Sequence, residues 1–246
     1  MTPGSPDIVA AAERLLAAAR ESAPRARAIG GVGVLLSSPS ARRPPLARDY
    51  KDLDIAVPRE DREALARVLT RAGYRPDEEF NALHGAHQMF FSDPVAGIDV
   101  DVIVDRLEMC HVLDLRGAFD GPGQALAPAD LLLGKLQIVE LTDKDLKDAV
   151  ALLLDHDIGD EGIDPARVNG VLSRDWGWWR TSTRSLERIR DFAAGLAGLD
   201  GAGTVAERIG RLEETIEQAP KSRGWKIRAR VGERVRWYAT PEEPER

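Results

Sequence analysis

The chain has 246 residues, of which 43% are hydrophobic and 30% charged, and its formal net charge is -7 at pH 7. These proportions are typical of a folded globular protein and exclude a mainly disordered one, while the acidic balance argues against bulk nonspecific binding to nucleic acid. No apolar run reaches the roughly 18 to 20 residues of a membrane span, so we expect no membrane partner. The single cysteine, Cys110, permits no internal disulfide and favours a cytoplasmic location.

The first half of the chain alternates helix and strand signals. Gly30-Gly31 opens a short helix, and Gly73 ends a later one because glycine readily adopts a left-handed cap. In chain order, the patterns predict a helix from Pro6 to Glu21, an exposed loop from Ser38 to Asp49, a strand over 50–57, a helix over 59–72, and strands over 88–92 and 98–104 joined by a turn at 93–97.

The second half is almost wholly helical. The pattern over 224–238 fits both a strand and a helix, and we favour helix. The predicted helices are 128–141, 143–154, 165–172, 178–196 and 205–218. We therefore expect an α+β domain over residues 1–125 and a mostly helical C-terminal domain over residues 126–246.

Acidic residues recur at alternate positions in two predicted strands. Asp52 and Asp54 share one face of the strand over 50–57, about 7 Å apart along it. Asp99 and Asp101 share a face of the strand over 98–104 in the same way. Carboxylates this close repel each other, so the arrangement is most easily explained by divalent cations between them. Acids on neighbouring strands are what a two-metal phosphoryl-transfer site needs.

These motifs resemble the DNA polymerase β-type nucleotidyltransferase superfamily. The resemblance rests on Gly30-Gly31, the Asp52-Leu53-Asp54 strand and the later Asp99 to Asp101 strand. The long gap ended by Arg48-Asp49-Tyr50-Lys51 is similar to aminoglycoside and lincosamide nucleotidyltransferases, although Val32 stands where those have an aromatic residue. The segment from Ala129 to Asp148 resembles abortive-infection toxin nucleotidyltransferases, without their arginine before the Lys144-Asp145 pair. The resemblance implies a mixed β-sheet flanked by helices, followed by a helical domain.

The resemblance also implies the site residues. Asp52 and Asp54 would bind both Mg²⁺ (or Mn²⁺) ions, and Asp99 or Asp101 would bind the catalytic one; we favour Asp99. Lys135 would reach the β- and γ-phosphates of the nucleoside triphosphate (NTP), and its position in an apolar helix agrees, because an unpaired buried ammonium is costly. The residues that we expect to contact the NTP are Gly30, Gly31, Arg48, Lys51 and Lys135, with loop 38–49 as a candidate lid or triphosphate clamp.

Several alternatives stay open. Lys135 could instead form a structural ion pair with an acid such as Asp130 or Asp148. Asp101, Asp105 or Glu140 could accept the acceptor's proton. The other chemically notable groups favour plain structural readings: Cys110 and His111 point to opposite faces, His84 and His87 lie in turn and strand, Trp176, Trp178 and Trp179 anchor helices, and Lys144 can pair with Asp148.

The sequence thus predicts an enzyme that moves a nucleoside monophosphate from an NTP to an acceptor hydroxyl, with a small molecule as the expected acceptor. One alternative is a toxin-type nucleotidyltransferase acting on tRNA or protein. Another is an inactive module of the same fold that binds a nucleotide or RNA. RNA contact through Lys221 to Arg236 is possible because this stretch mixes basic and aromatic residues.

Overall fold

A mixed sheet with surrounding helices forms the α+β fold that the sequence predicts. The structure is a computed structural model that describes residues 7–241. Five strands form the main sheet in the order β1-β2-β5-β4-β3, and two more form a hairpin. The strands are β1 (Arg27–Ile29), β2 (Asp52–Val57), β3 (Arg75–Pro76), β4 (Gln88–Asp93), β5 (Ile98–Val104), β6 (Arg106–Glu108) and β7 (Val112–Asp114).

Strands β2 and β5 form the centre of the sheet and run parallel, while β1 and β4 pair with them antiparallel on either side. Alternation fixes their faces: Leu53 and Ile55 of β2 and Val100 and Val102 of β5 are fully buried. The acidic residues at the intervening positions therefore point to the opposite face of the sheet.

Helices make up most of the remaining chain, and the second half is helical, as predicted. They are α1 (Ile8–Ala19), α2 (Gly30–Ser37), α3 (Arg62–Arg71), α4 (Glu78–His84), α5 (Pro128–Leu136), α6 (Asp143–Asp155), α7 (Pro165–Leu172), α8 (Trp176–Gly195), α9 (Ala202–Gln218) and α10 (Arg223–Val231). Short 3-10 turns cover Pro39–Arg42, Arg59–Asp61 and Gly232–Arg234.

Local signals explain where most helices begin and end. The side chain of Asp7 accepts a hydrogen bond from the amide of Ala10 and so begins α1; the predicted start at Pro6 lies outside the described residues. Thr142 begins α6 with a capping box. Gly73 has φ +97° just after α3, which confirms the left-handed cap.

Helix α5 is shorter than the prediction of 128–141, which was wrong at its C-terminal end. The backbone carbonyls after the helix accept hydrogen bonds from α8: Ser185 Oγ donates to Ile138 O, and Arg188 donates to Val139 O and Leu141 O. These tertiary contacts replace the next helical turn, which local periodicity alone could not reveal.

The apolar core extends from the sheet into the helical half. One cluster of buried residues runs from Ile8 in α1 to Ile216 in α9 and includes residues of β2, β5, α5 and α6. The division of the chain at residue 125 stays a prediction. None of the helices within residues 7–241 combines the length and apolar character needed to cross a membrane.

Candidate active site

Four carboxylates lie side by side on the open face of the two central strands. In the parallel register of β2 and β5, Asp52 is paired with Asp99 and Asp54 with Asp101. Residues directly opposite in neighbouring strands point to the same face. The structure therefore brings together the four acids that the sequence singled out, in two rows that are two residues apart along the strands.

These acids differ in their surroundings. Asp52 is exposed at the start of its strand, while Asp54, Asp99 and Asp101 are half-buried. Gln88 of β4 donates a hydrogen bond from Nε2 to Asp101 Oδ1 at 2.9 Å. The amide of Gln88 thus orients one of the carboxylates from the neighbouring strand.

The glycine pair at the start of α2 packs against functional groups on both sides. Gly30 has φ +62°, and a Cβ atom there would overlap the carboxylate oxygen Oδ2 of Asp54. A Cβ atom on Gly31 would overlap the guanidinium of Arg48 and crowd the ring of Tyr50. The left-handed backbone and the Asp54 carboxylate favour glycine at position 30, whereas a side chain at position 31 would displace the Arg48 guanidinium.

Two adjoining cavities open on this face. The smaller, about 220 Å³, is lined by the glycine pair together with Asp54, Lys135 and Asp145. The larger, about 450 Å³, is lined by Asp54, Asp101 and residues of α4 and β6. Asp54 contributes to both cavities, so its carboxylate lies where they meet.

Lys135 lies in the wall of the smaller cavity and is ion-paired. Its Nζ lies 3.0 Å from Asp145 Oδ1 and 2.8 Å from Asp148 Oδ2, and the residue is only 8% exposed. Of the two pairing alternatives, Asp148 is a partner, whereas Asp130 pairs with Arg167 instead. An ammonium has three donors, so two carboxylates leave it one N–H for a further acceptor.

Arg48 shares the same buried anion. It donates from Nε to Asp148 Oδ1 at 2.9 Å and from Nη2 to Oδ2 at 2.7 Å, and it stacks 3.7 Å from the centre of the Tyr50 ring. The Tyr50 hydroxyl donates to the same carboxylate. Asp148 therefore pairs with two cations, Arg48 and Lys135. The predicted pair between Lys144 and Asp148 was wrong, because these two cations and Tyr50 already occupy the Asp148 carboxylate inside the protein.

The pKa shifts follow from this network. Burial opposes charge on Lys135, but the nearby Asp148 and Asp145 carboxylates outweigh it and raise the pKa of the ammonium. The pKa of the Arg48 guanidinium is raised in the same way, since the hydrogen bonds and charge of Asp148 exceed the cost of burial. Burial also raises the pKa of the Tyr50 phenol far above its ordinary value, so this group is a neutral donor.

Three other residues named from the sequence lie at the edge of the site or outside it. Lys51 is exposed next to Asp52 and forms no ion pair with any residue from 7 to 241. Asp105, at φ +63°, accepts a hydrogen bond from the Arg59 amide at 3.0 Å. Glu140 is exposed after the end of α5. The structure does not bring Asp105 or Glu140 into the wall of either cavity.

The donor atoms of this face suit a hard cation, since Mg²⁺ prefers carboxylate oxygens. Among the described residues, no set of three or more His, Cys, Asp or Glu side chains is arranged so that it could hold a metal ion. Mg²⁺ commonly takes only one or two protein carboxylates and fills its other positions with water and substrate phosphates, so this face still fits it.

Sequence reasoning missed several residues of the larger cavity. His84, His87 and Glu108 line it together with Gln88. The turn and strand predicted around these histidines are present at 85–87 and 88–93, but His84 itself ends α4. A signal was present: Asp77 accepts a hydrogen bond from the Phe80 amide as the cap of α4, and two glutamates follow it in the first turn.

The model of a family described as uncharacterised nucleotidyltransferases matches residues 10–133, which include most of α1, the glycine pair and all four acids. The chain belongs to this nucleotidyltransferase family. No curated protein shows significant similarity to the chain. The solution structure of the antibiotic-resistance factor ANT(2'')-Ia is similar with a TM-score of 0.41 and 16% sequence identity, covering 75% of this chain and 97% of that one.

Membership gives the four carboxylates a chemical context. A nucleotidyltransferase moves a nucleoside monophosphate from a triphosphate to an acceptor, and the matched segment ends within α5, two residues before Lys135. The acids and the glycine pair lie inside the segment, whereas Asp145 and Asp148 come from the helical half. Both halves of this nucleotidyltransferase therefore line the candidate site.

Proposed function

We propose that this protein catalyses Mg²⁺-dependent transfer of a nucleoside monophosphate from an NTP to a hydroxyl group of a small-molecule acceptor, with release of pyrophosphate. The observation that carries the proposal is the in-register pairing of Asp52 with Asp99 and of Asp54 with Asp101 beside the glycine pair. Mn²⁺ is the expected substitute for Mg²⁺.

The smaller cavity is the proposed place of the triphosphate. The amides at the start of α2 and its positive dipole end favour anions, and Gly30 and Gly31 add no side chain of their own at this helix end, which leaves room for the neighbouring Asp54 and Arg48. The remaining N–H of Lys135 would donate to a phosphate oxygen while the other two stay with Asp145 and Asp148. Exposed Lys51 would add a second cation from the entrance, and Arg48 would support Gly31 from behind.

The larger cavity is the proposed place of the acceptor. Its volume of about 450 Å³ lies in the range of small-molecule sites, and it meets the nucleotide cavity at Asp54. Asp101 lines it and is oriented by Gln88, so Asp101 is the proposed general base. Asp52, Asp54 and Asp99 are the proposed metal ligands.

The reaction then follows from these places. An acceptor hydroxyl in the larger cavity attacks the α-phosphorus, a new P–O bond forms, and the bond from the α-phosphorus to the bridging oxygen of the β-phosphate breaks. Asp101 takes the hydroxyl proton, and pyrophosphate leaves from beside Lys135. Mg²⁺ bound at the acids would polarise the α-phosphate and stabilise the leaving oxygen.

Nucleotide binding tests the proposal directly. Each of the four NTPs is titrated by calorimetry with and without Mg²⁺ into the native protein and into an Asp52→Asn, Asp54→Asn variant. A matched control carries Asp191→Asn and Asp200→Asn, which make the same change of net charge at exposed positions away from the site. We expect Mg²⁺-dependent binding in the native protein and the control, and its loss in the first variant. Equal binding by all three proteins would overturn the proposal.

Two single variants separate the proposed roles of the β5 acids. Asp99→Asn should weaken Mg²⁺-dependent nucleotide binding, because it removes a metal ligand. Asp101→Asn should leave this binding near its native strength and lower turnover. The turnover that remains should no longer increase with pH over the range in which an essential base ionises. The opposite pattern would exchange the two roles and leave the site itself in place.

A further inference from the structure

The last helix, α10, is attached to the outside of the protein. It contains no buried residue, and its outer face exposes large apolar side chains: Ile227 is 65% exposed, and Val235, just beyond the helix, is 58% exposed. An amphipathic helix normally buries its apolar stripe. The outer face of α10 is therefore a surface with no partner among residues 7–241.

Charge is concentrated on the same face. From residue 221 onward the chain carries eight lysines and arginines against four glutamates, so this end has a formal charge of +4 and the remainder has -11. Four cations of the segment are exposed and form no side-chain hydrogen bond or ion pair with the described residues; we call them the basic face: Arg223, Lys226, Arg230 and Arg234.

Three other cations of this segment, all within residues 7–241, have structural partners. Lys221 donates to Ala219 O at 3.0 Å at the end of α9. Arg228 donates to Gly232 O at 2.6 Å and to Val235 O at 2.7 Å. Arg236 donates to Thr240 and stacks on Tyr238. The basic face is thus the set of cations that folding leaves unused.

Aromatic contacts with α8 orient the basic face toward solvent. Trp225 packs on Trp179 at 5.3 Å between ring centroids, and Trp237 packs on Trp176 at 5.8 Å. Ser222 begins α10 and donates from its hydroxyl to Arg174 O at 3.0 Å. Because Trp225 within α10 and Trp237 beyond it both pack on α8, α10 presents arginines, lysine and aliphatic groups to solvent in a defined orientation.

The segment that follows α10 runs back to the candidate active site. Ala239 donates its amide hydrogen bond to Cys110 O at 2.9 Å, at the tip of the hairpin formed by β6 and β7. The preceding residue, Met109, lines both cavities. The segment after the basic face therefore bonds to Cys110, which directly follows a residue of the cavity walls.

We infer that the basic face binds a single-stranded nucleic acid through its phosphate backbone. The acidic remainder of the protein repels polyanions, so a narrow strand that touches only the basic face avoids a repulsion that a flat anionic membrane would meet. Membrane-surface helices also turn aromatic side chains outward, whereas Trp225 of α10 packs inward on Trp179. Three of the four cations are arginines, whose guanidinium planes also stack on unpaired bases.

The salt dependence of the affinity measures how many phosphates the basic face contacts. If its four cations neutralise four phosphates of a single strand, the released counterions give a slope of about -2.8 in log K against log salt. This slope is equivalent to about a 50-fold loss of affinity between 50 and 200 mM salt. The probes are uridine and thymidine oligonucleotides on the order of 12 nucleotides, followed by fluorescence anisotropy. The inference holds whichever acceptor the active site uses.

A charge-matched pair of variants makes the test specific. The first carries Arg223→Gln, Lys226→Gln, Arg230→Gln and Arg234→Gln; the control carries Arg20→Gln, Arg67→Gln, Arg71→Gln and Arg75→Gln, which are exposed and without ion pairs to described residues. At 50 mM salt we expect the first variant to lose at least the roughly 50-fold affinity that the native protein would lose between 50 and 200 mM salt, because its four phosphate contacts are gone, and the control to stay within about threefold of native.

Three results would overturn the inference: no binding by the native protein at low salt, equal loss in both variants, or binding to phosphatidylserine vesicles without binding to either oligonucleotide. The Asp52→Asn, Asp54→Asn variant should keep oligonucleotide binding, so failure of the proposed catalytic site and failure of the basic face are distinguishable. Thermal unfolding of all variants checks that each is folded.

Discussion

Replacing Asp148 by asparagine removes the one anion that Arg48 and Lys135 share. Its side chain is 1% exposed, accepts two hydrogen bonds from Arg48 at 2.9 and 2.7 Å, and pairs with Lys135 at 2.8 Å. The asparagine keeps the size of the side chain but not its charge, so two buried cations lose their common counterion. Stability is therefore expected to fall sharply.

The magnitude follows from which contacts survive. Breaking a buried ion pair by removing one partner costs about 3 to 5 kcal/mol. Lys135 keeps Asp145 and Arg48 keeps a hydrogen bond to the carbonyl of Asp49, so we expect the lower end, about 3 kcal/mol. For a chain of this length, that corresponds to a fall in melting temperature of roughly 6 to 12 °C.

Thermal and urea unfolding at pH 7 measure the effect. Asp157→Asn is a matched control, because Asp157 also pairs with two arginines, Arg208 and Arg211, but is 62% exposed; solvent screens such pairs, and little change is expected. In a functional assay, Asp148→Asn should raise the KM for the NTP more than it lowers kcat, since Lys135 loses its fixed position. A melting temperature for Asp148→Asn within about 2 °C of native, at the precision that such shifts allow, would refute the reasoning.

Three further predictions concern the site and its surroundings. Gly30→Ala should abolish turnover because the new Cβ overlaps the Asp54 carboxylate. The control Gly73→Ala also changes a left-handed glycine, but one in open space, so it should cost about 1 to 2 kcal/mol of stability and leave turnover intact. Equal turnover in both variants would contradict this prediction. Burial, only partly offset by the charge of Asp175, lowers the pKa of His111 to about 4. The unfolded chain therefore binds the proton more readily than the folded protein. The free energy of unfolding should fall by at most about 3 kcal/mol as pH drops from 6.5 toward 4. His111→Gln should flatten urea-unfolding stability over this range, and an unchanged pH profile would count against the buried neutral imidazole. Finally, a chelator should abolish turnover and added Mg²⁺ should restore it, and turnover that persists in the chelator would rule out the metal.

The acidic face could be predicted because its signal is local. Alternation in β2 and β5 fixes which side chains share a face, whereas the parallel register that sets Asp52 beside Asp99 is visible only in the structure. The left-handed Gly73 and the cap at Thr142 are likewise properties of a few consecutive residues. Such features depend on backbone geometry rather than on distant contacts.

The remaining features depend on contacts between distant parts of the chain. Contacts with Arg188, about fifty residues away, set the end of α5. For Lys135, the sequence offered Asp130 and Asp148 as possible ion-pair partners, and only the structure shows that Asp148 is one. The sequence showed Gly31 as half of a glycine pair, but only the structure shows that Arg48 occupies the space beside it. Strands β1 and β3 have three and two residues, too few for a periodic pattern to appear.

Transfer of labelled nucleotide tests the central claim most directly. NTPs labelled at the α-phosphate are incubated with Mg²⁺, the protein and a cell extract separated into small-molecule, RNA and protein fractions. We expect the native protein and the Asp191→Asn, Asp200→Asn control to transfer label into the small-molecule fraction, and the Asp52→Asn, Asp54→Asn variant to transfer none. Label in RNA or protein instead would move the acceptor to those classes and contradict the small-molecule assignment. Label in no fraction, or equal labelling by the variant, would contradict nucleotidyl transfer at these carboxylates.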